Sequence, residues 1–269
     1  NYSGPVWYIS NDGDDSGQGT IDDPLETMQQ ANSSASDGDT IFFFDGEYIG
    51  SGVNNKLFIS AYEFDGVNYG VSIVGDISMN NSSDSTTIQN VEITGEGNGI
   101  FLSNALGITI DNCKITNNTQ EGIYIAYSSS VNISNCDISN NLRKGIRADN
   151  WEQENIDVVV DSCIINYNNA DNGEYGSGIG FRIFGGGSLT VTNSVISNNF
   201  SDEPALHCDN GSISLTNVII ENNQGSGIDH HSGTTSVLDN VTISGNAGRG
   251  IESLEDPTIT NCTISNNLD

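Results

Sequence analysis

From residue 99 onward, apolar and polar positions alternate in short segments rich in Ile and Val, and Asn, Gly and Ser interrupt them. Alternation at period two predicts strands, and the interrupting residues predict turns. The pattern itself recurs. A Gly-Ile pair stands at Gly99-Ile100, Gly122-Ile123, Gly145-Ile146, Gly178-Ile179, Gly227-Ile228 and Gly250-Ile251, with Ala205-Leu206 in the missing place. The spacings are 23, 23, 33, 27, 22 and 23 residues. Each pair is followed by a motif of the form Asn112-Cys-Lys-Ile-Thr-Asn-Asn118, which returns from Asn135, Asn193, Asn217, Asn240 and Asn261. A unit of 22 or 23 residues holds three short strands and three turns but not a strand, a helix and their loops. One such unit cannot bury its own apolar face, whereas a stack can. The expected fold is therefore all-β: a right-handed parallel β-helix, a solenoid with rungs ~4.8 Å apart. A leucine-rich repeat would need a Leu consensus that the units lack.

Stacking turns sequence positions into columns. Val91, Cys113, Cys136, Cys163, Ser194, Val218, Val241 and Cys262 form an expected column of small inward residues. Ile93, Ile115, Ile138, Ile165, Ile196, Ile220, Ile243 and Ile264 form a core column. The Asn before the first column and the Asn pair after the second read as turn ladders, because stacked amides bond to one another and Asn tolerates left-handed φ. Buried free thiols are the expected state of the cysteine column, ahead of a vertical disulfide or a metal site.

Residues 1–40 read as an N-terminal cap segment and 41–269 as the β-helix, with regular rungs from about 99. Asp22 or Asp23 with Pro24 predicts a helix start, with Leu25, Met28, Ala31 and Ala35 as its apolar stripe. Such a helix would plug the open end of the stack. The run Tyr8-Ile-Ser-Asn-Asp-Gly-Asp-Asp15, then Gly19-Thr20, Pro24 to Ala31, Asp37-Gly-Asp-Thr-Ile41 and Asp45-Gly-Glu-Tyr48, resembles the cap of secreted right-handed β-helix proteins. Those include polysaccharide lyases of the chondroitinase B and alginate lyase type. The resemblance implies the fold, a secreted or cell-surface location and a polysaccharide partner. It transfers no catalytic Lys or Arg, and the Asp-rich motifs of polygalacturonase-type hydrolases are missing.

Composition narrows this picture. A formal charge of −29, from 36 acidic against 7 basic side chains, excludes a nucleic-acid partner, and no apolar run is long enough to cross a membrane. No cofactor is called for by any motif. In the loop Asn11-Asp-Gly-Asp-Asp15, Asp12, Asp14 and Asp15 are candidate Ca2+ ligands, although the spacing and terminal Glu of a helix-loop-helix calcium loop are absent and a solvated acidic turn competes. The last rung has no closing element, so the rest of a longer chain or another subunit is expected over the C-terminal end.

If Ile after Gly points inward, the next residue points out. The first outward column is then Phe101, Tyr124, Arg147, Gly180, His207, Asp229 and Glu252, and the second is Ser103, Ala126, Asp149, Arg182, Asp209, His231 and Leu254. A slip of one residue would turn His207 inward and His230 outward. The catalytic candidates are His207, Arg182, Asp209, Arg147, Asp149, His231 and Asp229. The substrate-binding candidates are Tyr124, Trp151, Tyr175 and Lys144, the two middle ones on an insertion after Asn150. Arg forks pair with uronate carboxylates, and His, Tyr or paired Asp groups supply acid–base chemistry. Lyase, epimerase and hydrolase chemistry all remain open, with Asp149 and Asp209 two rungs, or ~9.6 Å, apart for inversion. A non-catalytic structural or adhesive module is the alternative. A third reading, an ice-binding face on the Ser/Thr column of Thr94, Thr116, Ser139, Ser197, Ser244 and Ser265, is disfavoured, because Asn166 and Glu221 interrupt the column, a regular Thr-x-Thr pattern is absent and strand propensity explains it.

Overall fold

The computed structural model describes residues 4–61, 70–127, 129–150, 155–170, 176–183, 186–233 and 235–268. Three parallel sheets of 11, 9 and 10 strands wrap one apolar interior. One rung shows the plan: Ile123–Ala126 lies in the nine-stranded sheet, Ser129–Ser134 in the eleven-stranded sheet and Asp137–Ser139 in the ten-stranded sheet. Parallel strands joined in the favoured hand give the right-handed β-helix that the repeat predicts.

The motif positions carry separate tasks. The first Asn of each motif turns the chain through the left-handed region, with φ of 49° at Asn112, 54° at Asn135, 50° at Asn193 and 57° at Asn217. A second left-handed turn falls on the first Asn of the closing pair, at Asn117, Asn140, Asn198 and Asn222, with Tyr167 in the same place on one rung. The second Asn of the pair is buried. Asn199 donates through its backbone N–H and its Nδ2 to Asn223 Oδ1, both at 3.0 Å, and through Nδ2 to Ile165 O at 3.1 Å. Its own Oδ1 accepts from the N–H and Nδ2 of Asn168. The same Nδ2–Oδ1 bond joins Asn118 to Asn141, Asn141 to Asn168, Asn223 to Asn246 and Asn246 to Asn267. The glycine of the Gly-Ile pair admits this column: a Cβ on Gly122 would stand 2.7 Å from Gly145 O and 2.8 Å from Asn141 Nδ2.

The core columns are as read up to the last rung, where Ile264 is 48% exposed and Cys262 only partly buried because no further rung covers them among the described residues. Ile93 through Ile243 are fully buried, and Cys113, Cys136 and Cys163 are buried free thiols beside Ser194, Val218 and Val241. On the outside, amides of the first-Asn column donate down the stack to Asn or to Asp: Asn217 to Asn193, Asn193 to Asp161, and Asn261 to Asp239. Thr192 and Thr260 bond the same two carboxylates. These hydrogen bonds hold Asp161 and Asp239 below the ordinary carboxylate value of 3.8.

The cap differs from its prediction in two ways. Val6–Ile9 is the terminal strand of the eleven-stranded sheet and pairs in parallel with Thr40–Phe43, so residues 1–40 are partly rung. The helix spans Met28–Ser34 and starts later than Pro24. Leu25 cannot be helical because its N–H and C=O bond Tyr8 O and Ser10 N. Thr27 is the N-cap and accepts from Gln30 N. The stripe Leu25, Met28, Ala31 and Ala35 is nevertheless buried. The Ser/Thr column is no open face, since Thr116, Ser139 and Ser197 are buried.

Two expectations follow. Asn199→Ala leaves Asn168 donors and Ile165 O unsatisfied in the interior and should lower unfolding stability by about 3 kcal/mol in urea. The carboxylate contribution of Asp161 and Asp239 is present above 3.8 and lost as pH falls through their lowered folded values. The double variant Asp161→Asn, Asp239→Asn should therefore lose less stability than wild type when thermal unfolding is followed from neutral pH to below 3.8.

Candidate functional site

The register of the nine-stranded sheet follows the predicted columns. Phe101, Tyr124, Arg147, Gly180, His207 and Asp229 stand opposite one another, as do Ser103, Ala126, Asp149, Arg182, Asp209 and His231. The last rung departs from it: Asp229 pairs with Ser253, so Glu252 and Leu254 leave their predicted places, and Glu252 accepts from Ser226 Oγ instead. His230 points inward, fully buried, with Nδ1 on Ser236 Oγ at 2.6 Å and Nε2 on Gly211 O at 3.0 Å. Burial depresses its pKa, the ordinary behaviour of a core histidine.

Two clusters occupy the outer face. In the first, Arg147 donates through Nε to Asp149 Oδ2 at 2.6 Å and through Nη1 to Glu121 Oε1 at 2.9 Å. Its guanidinium lies 4.8 Å from the centre of the Tyr124 ring, and Tyr124 lies 5.3 Å from Phe101. Burial opposes the charge of Arg147, but Asp149 and Glu121 outweigh it and raise the pKa. Burial also raises the Tyr124 pKa, against the pull of Arg147. Arg143 approaches Glu121 at 3.9 Å. Arg147 is thus held between two carboxylates, and the Asp149 carboxylate is held by Arg147.

In the second cluster, Asp229 bridges two imidazoles. Its Oδ2 is 3.2 Å from His207 Nδ1 and its Oδ1 is 3.2 Å from His231 Nδ1. The two rings meet edge to face at 5.2 Å. Burial would raise the Asp229 pKa, but the bonds from both histidines outweigh it and leave the carboxyl below its ordinary value. Asp209 stands beside His231 on the next strand, and its Oδ2 is 4.0 Å from Arg182 Nε. The exposures divide the roles: the His207 side chain is 1% exposed and the His231 side chain 42%.

Some candidates do not reach the face. His207 points outward but is closed over, with Asp229 and His231 against it. Lys144 is buried at 4% exposure in the turn before its strand, so it does not stand on the open face. Trp151 and Tyr175 lie outside the described residues. In the acidic loop near the N-terminus, Asp15 accepts from Glu26 N, Thr27 N and Thr27 Oγ1, and so orients the helix cap. Asp14 accepts from Ser16 N and Oγ, and the Asp12 N–H donates to Ser10 Oγ. Among the described residues, the potential ligand atoms that cluster within 4.8 Å belong to His207, Asp209 and His231, and not to Asp12, Asp14 and Asp15. Sequence reasoning missed Glu121, which is buried at the heart of the first cluster. The available signal was its place directly before Gly122-Ile123, the same column as Lys144.

The model of the family described as "Right handed beta helix region" matches residues 50–202 and 204–269. The chain belongs to this family. Among curated proteins none matches. Of solved structures, it is similar to the pectate lyase Pel9A, with a TM-score of 0.69 and 14% identity over 98% of this chain and 78% of that one. It is also similar to an alginate lyase from Paenibacillus sp. str. FPU-7, with a TM-score of 0.57 and 15% identity over 96% of this chain and 99% of that one. XylC in complex with xylose gives a TM-score of 0.55 and 12% identity over 92% and 70%. At these identities the likeness is one of fold. No helix is long and apolar enough to cross a membrane among the described residues.

The first cluster makes a structural prediction. Arg147→Ala leaves the buried Glu121 carboxylate without its partner at 2.9 Å. It should cost about 3–5 kcal/mol in denaturant unfolding, and Glu121→Gln in the same background should recover part of the loss.

Proposed function

We propose that the chain binds an acidic polysaccharide along the outer face of the nine-stranded sheet and breaks it by β-elimination outside the cell. The observation that carries this reading is the placement of Arg182 on the rung next to His207 and Asp209, with the carboxylate-bridged imidazoles of His207 and His231 following on two successive rungs. In a chain of charge −29, a cation on the surface marks where an anionic sugar can be accepted. The lyases among the structural neighbours add fold-level support only.

The chemistry follows from the groups present. A uronate carboxylate pairs with Arg182, which stabilises the charge that spreads into it when the C5 proton leaves. The His207–Asp209–Asp229–His231 cluster takes that proton. The electrons of the C5–H bond form the C4–C5 double bond, the C4–O bond breaks, and the departing oxygen takes a proton from water, to which the cluster later returns the C5 proton. Phe101 and Tyr124 offer aromatic surface to the sugar rings further along the face. Hydrolysis is less well served. It requires two available carboxylates, and here Asp149 is held by Arg147 and Asp229 by both imidazoles.

A panel of polygalacturonate, alginate, a uronate-containing glycosaminoglycan and a neutral glucan tests the reading. The expected result is a conjugated, ultraviolet-absorbing product from at least one uronate polymer and none from the glucan. Arg182→Ala should lower kcat/KM by about 10²-fold or more while leaving the circular dichroism unchanged. Uronate polymers that are neither bound nor altered, reducing ends without unsaturated product, or an unaffected Arg182→Ala enzyme would overturn it.

A further inference from the structure

We infer that His207, Asp209 and His231 form a binding site for one divalent transition-metal ion of the zinc type. One potential ligand atom from each lies within 4.8 Å of the other two. Tetrahedral zinc with bonds of ~2.0–2.1 Å separates its ligand atoms by about 3.4 Å, so side-chain rotation of little more than an ångström closes the set. The three residues sit on two adjacent, hydrogen-bonded strands, where His207 faces Asp229 and Asp209 faces His231. A rigid parallel ladder therefore sets their spacing.

The neighbourhood is that of a metal site beyond the ligand set itself. Asp229 is hydrogen-bonded to Nδ1 of His231 and has its other oxygen 3.2 Å from Nδ1 of His207. A carboxylate on the far nitrogen is the usual device that fixes the tautomer and orientation of a ligating histidine and raises its basicity. Here Asp229 supplies that carboxylate to His231 and stands within 3.2 Å of the His207 ring. Two imidazoles and a carboxylate suit zinc and its first-row neighbours, whereas Ca2+ and Mg2+ take oxygen ligands. Asp209 and Asp229 bring two negative charges to the cation, and Arg182, 4.0 Å from Asp209, offsets part of one. Access is one-sided: His207 is buried at the back, and His231, 42% exposed on its side chain, opens to solvent at the front. Three protein ligands with an open front leave a coordination position for water, which zinc ionises near neutral pH. In the metal-loaded protein such a hydroxide would take over as the proton acceptor of the cluster. Metal binding itself does not depend on the polysaccharide reading, because it is read with the metal alone.

The test uses the whole chain, stripped with a chelator and titrated with Zn2+ by calorimetry and with Co2+ by visible absorption. We expect one saturable equivalent, Co2+ bands of nitrogen and oxygen ligation without thiolate charge transfer, and a raised Tm. His231→Ala and Asp209→Asn should each weaken zinc binding at least tenfold, and Asp229→Asn should weaken it by about 10–100-fold. His231 is partly exposed, so its replacement should leave the apo fold unchanged by circular dichroism. Absence of saturable Zn2+ binding, thiolate bands from Co2+, or equal affinity in His231→Ala would overturn the assignment. Zinc binding without polymer cleavage would uphold it and leave only the polysaccharide reading in default.

Discussion

The stack depends on the buried amide of the second Asn in each closing pair. At that corner the chain leaves one sheet and enters the next, and its backbone must pass through the interior without water. A primary amide has two donors and one acceptor oxygen that can receive two bonds. Asn199 uses all of them: one Nδ2 donor to Ile165 O, the other to Asn223, and its oxygen to Asn168. The same side chain one rung away presents the matching groups, so the corner repeats only if successive rungs lie in register. That register places Ile over Ile inside and, on the opposite side of the same strands, fixes which outward residues become neighbours. The site is a consequence of the corner. His207, Asp209, Asp229 and His231 converge because the amides hold two rungs in phase.

The arrangement could be read from the sequence where each residue type answers one local constraint. The Gly of each Gly-Ile pair is required by the approach of the next rung's carbonyl and amide, as Gly122 illustrates. The first Asn of each motif is required by a left-handed turn. These constraints have few solutions, so they leave visible repeats, and counting outward from Gly-Ile placed every outward column correctly up to the irregular final rung. Exposure was less legible than direction. Alternation says that His207 points away from the core, but whether solvent reaches it depends on what stands beside it, and Asp229 and His231 close over it. Glu121 escaped for the same reason, since a carboxylate before a Gly resembles an ordinary turn residue until Arg147 is seen reaching to it across a rung. The helix start was misplaced because Leu25 spends its backbone groups on Tyr8 and Ser10, a long-range demand that outweighs the local signal of Asp-Pro.

The acidity of the chain takes on structural meaning once the outer turns are seen. Carboxylates one position before the first-Asn column receive its amides: Asp161 accepts from Thr192 and Asn193, and Asp239 from Thr260 and Asn261. A carboxylate accepts but cannot donate, so it ends a run of amide-to-amide bonds without breaking the stack. The negative charge on the outside is thus partly a set of hydrogen-bond acceptors. Against it the cations are mostly committed. Arg147 is held by two carboxylates, Lys114 pairs with Glu92 at 2.9 Å, and Lys144 is buried. Arg182, at 4.0 Å from Asp209 and in the column of His231, stands beside the second cluster.

Inside and outside of this solenoid are specified by different residues, and that separation bears on how activity can be assigned. Core, corner and turn columns recur from rung to rung because packing demands it, while outward columns obey no such rule. Phe101, Tyr124, Arg147, Gly180, His207 and Asp229 share one column, which runs from aromatic through cationic and glycine to imidazole and carboxylate. A similarity of fold at 14% identity therefore reports the inward residues and is silent on chemistry. What a β-helix supplies to chemistry is spacing: residues 22 apart along the chain, such as His207 and Asp229, stand on neighbouring strands ~4.8 Å apart. That distance is within reach of a hydrogen bond or a shared metal ion between side chains. Two adjacent rungs are enough to build such a site, and changing four outward side chains on them leaves every core contact and every corner amide in place.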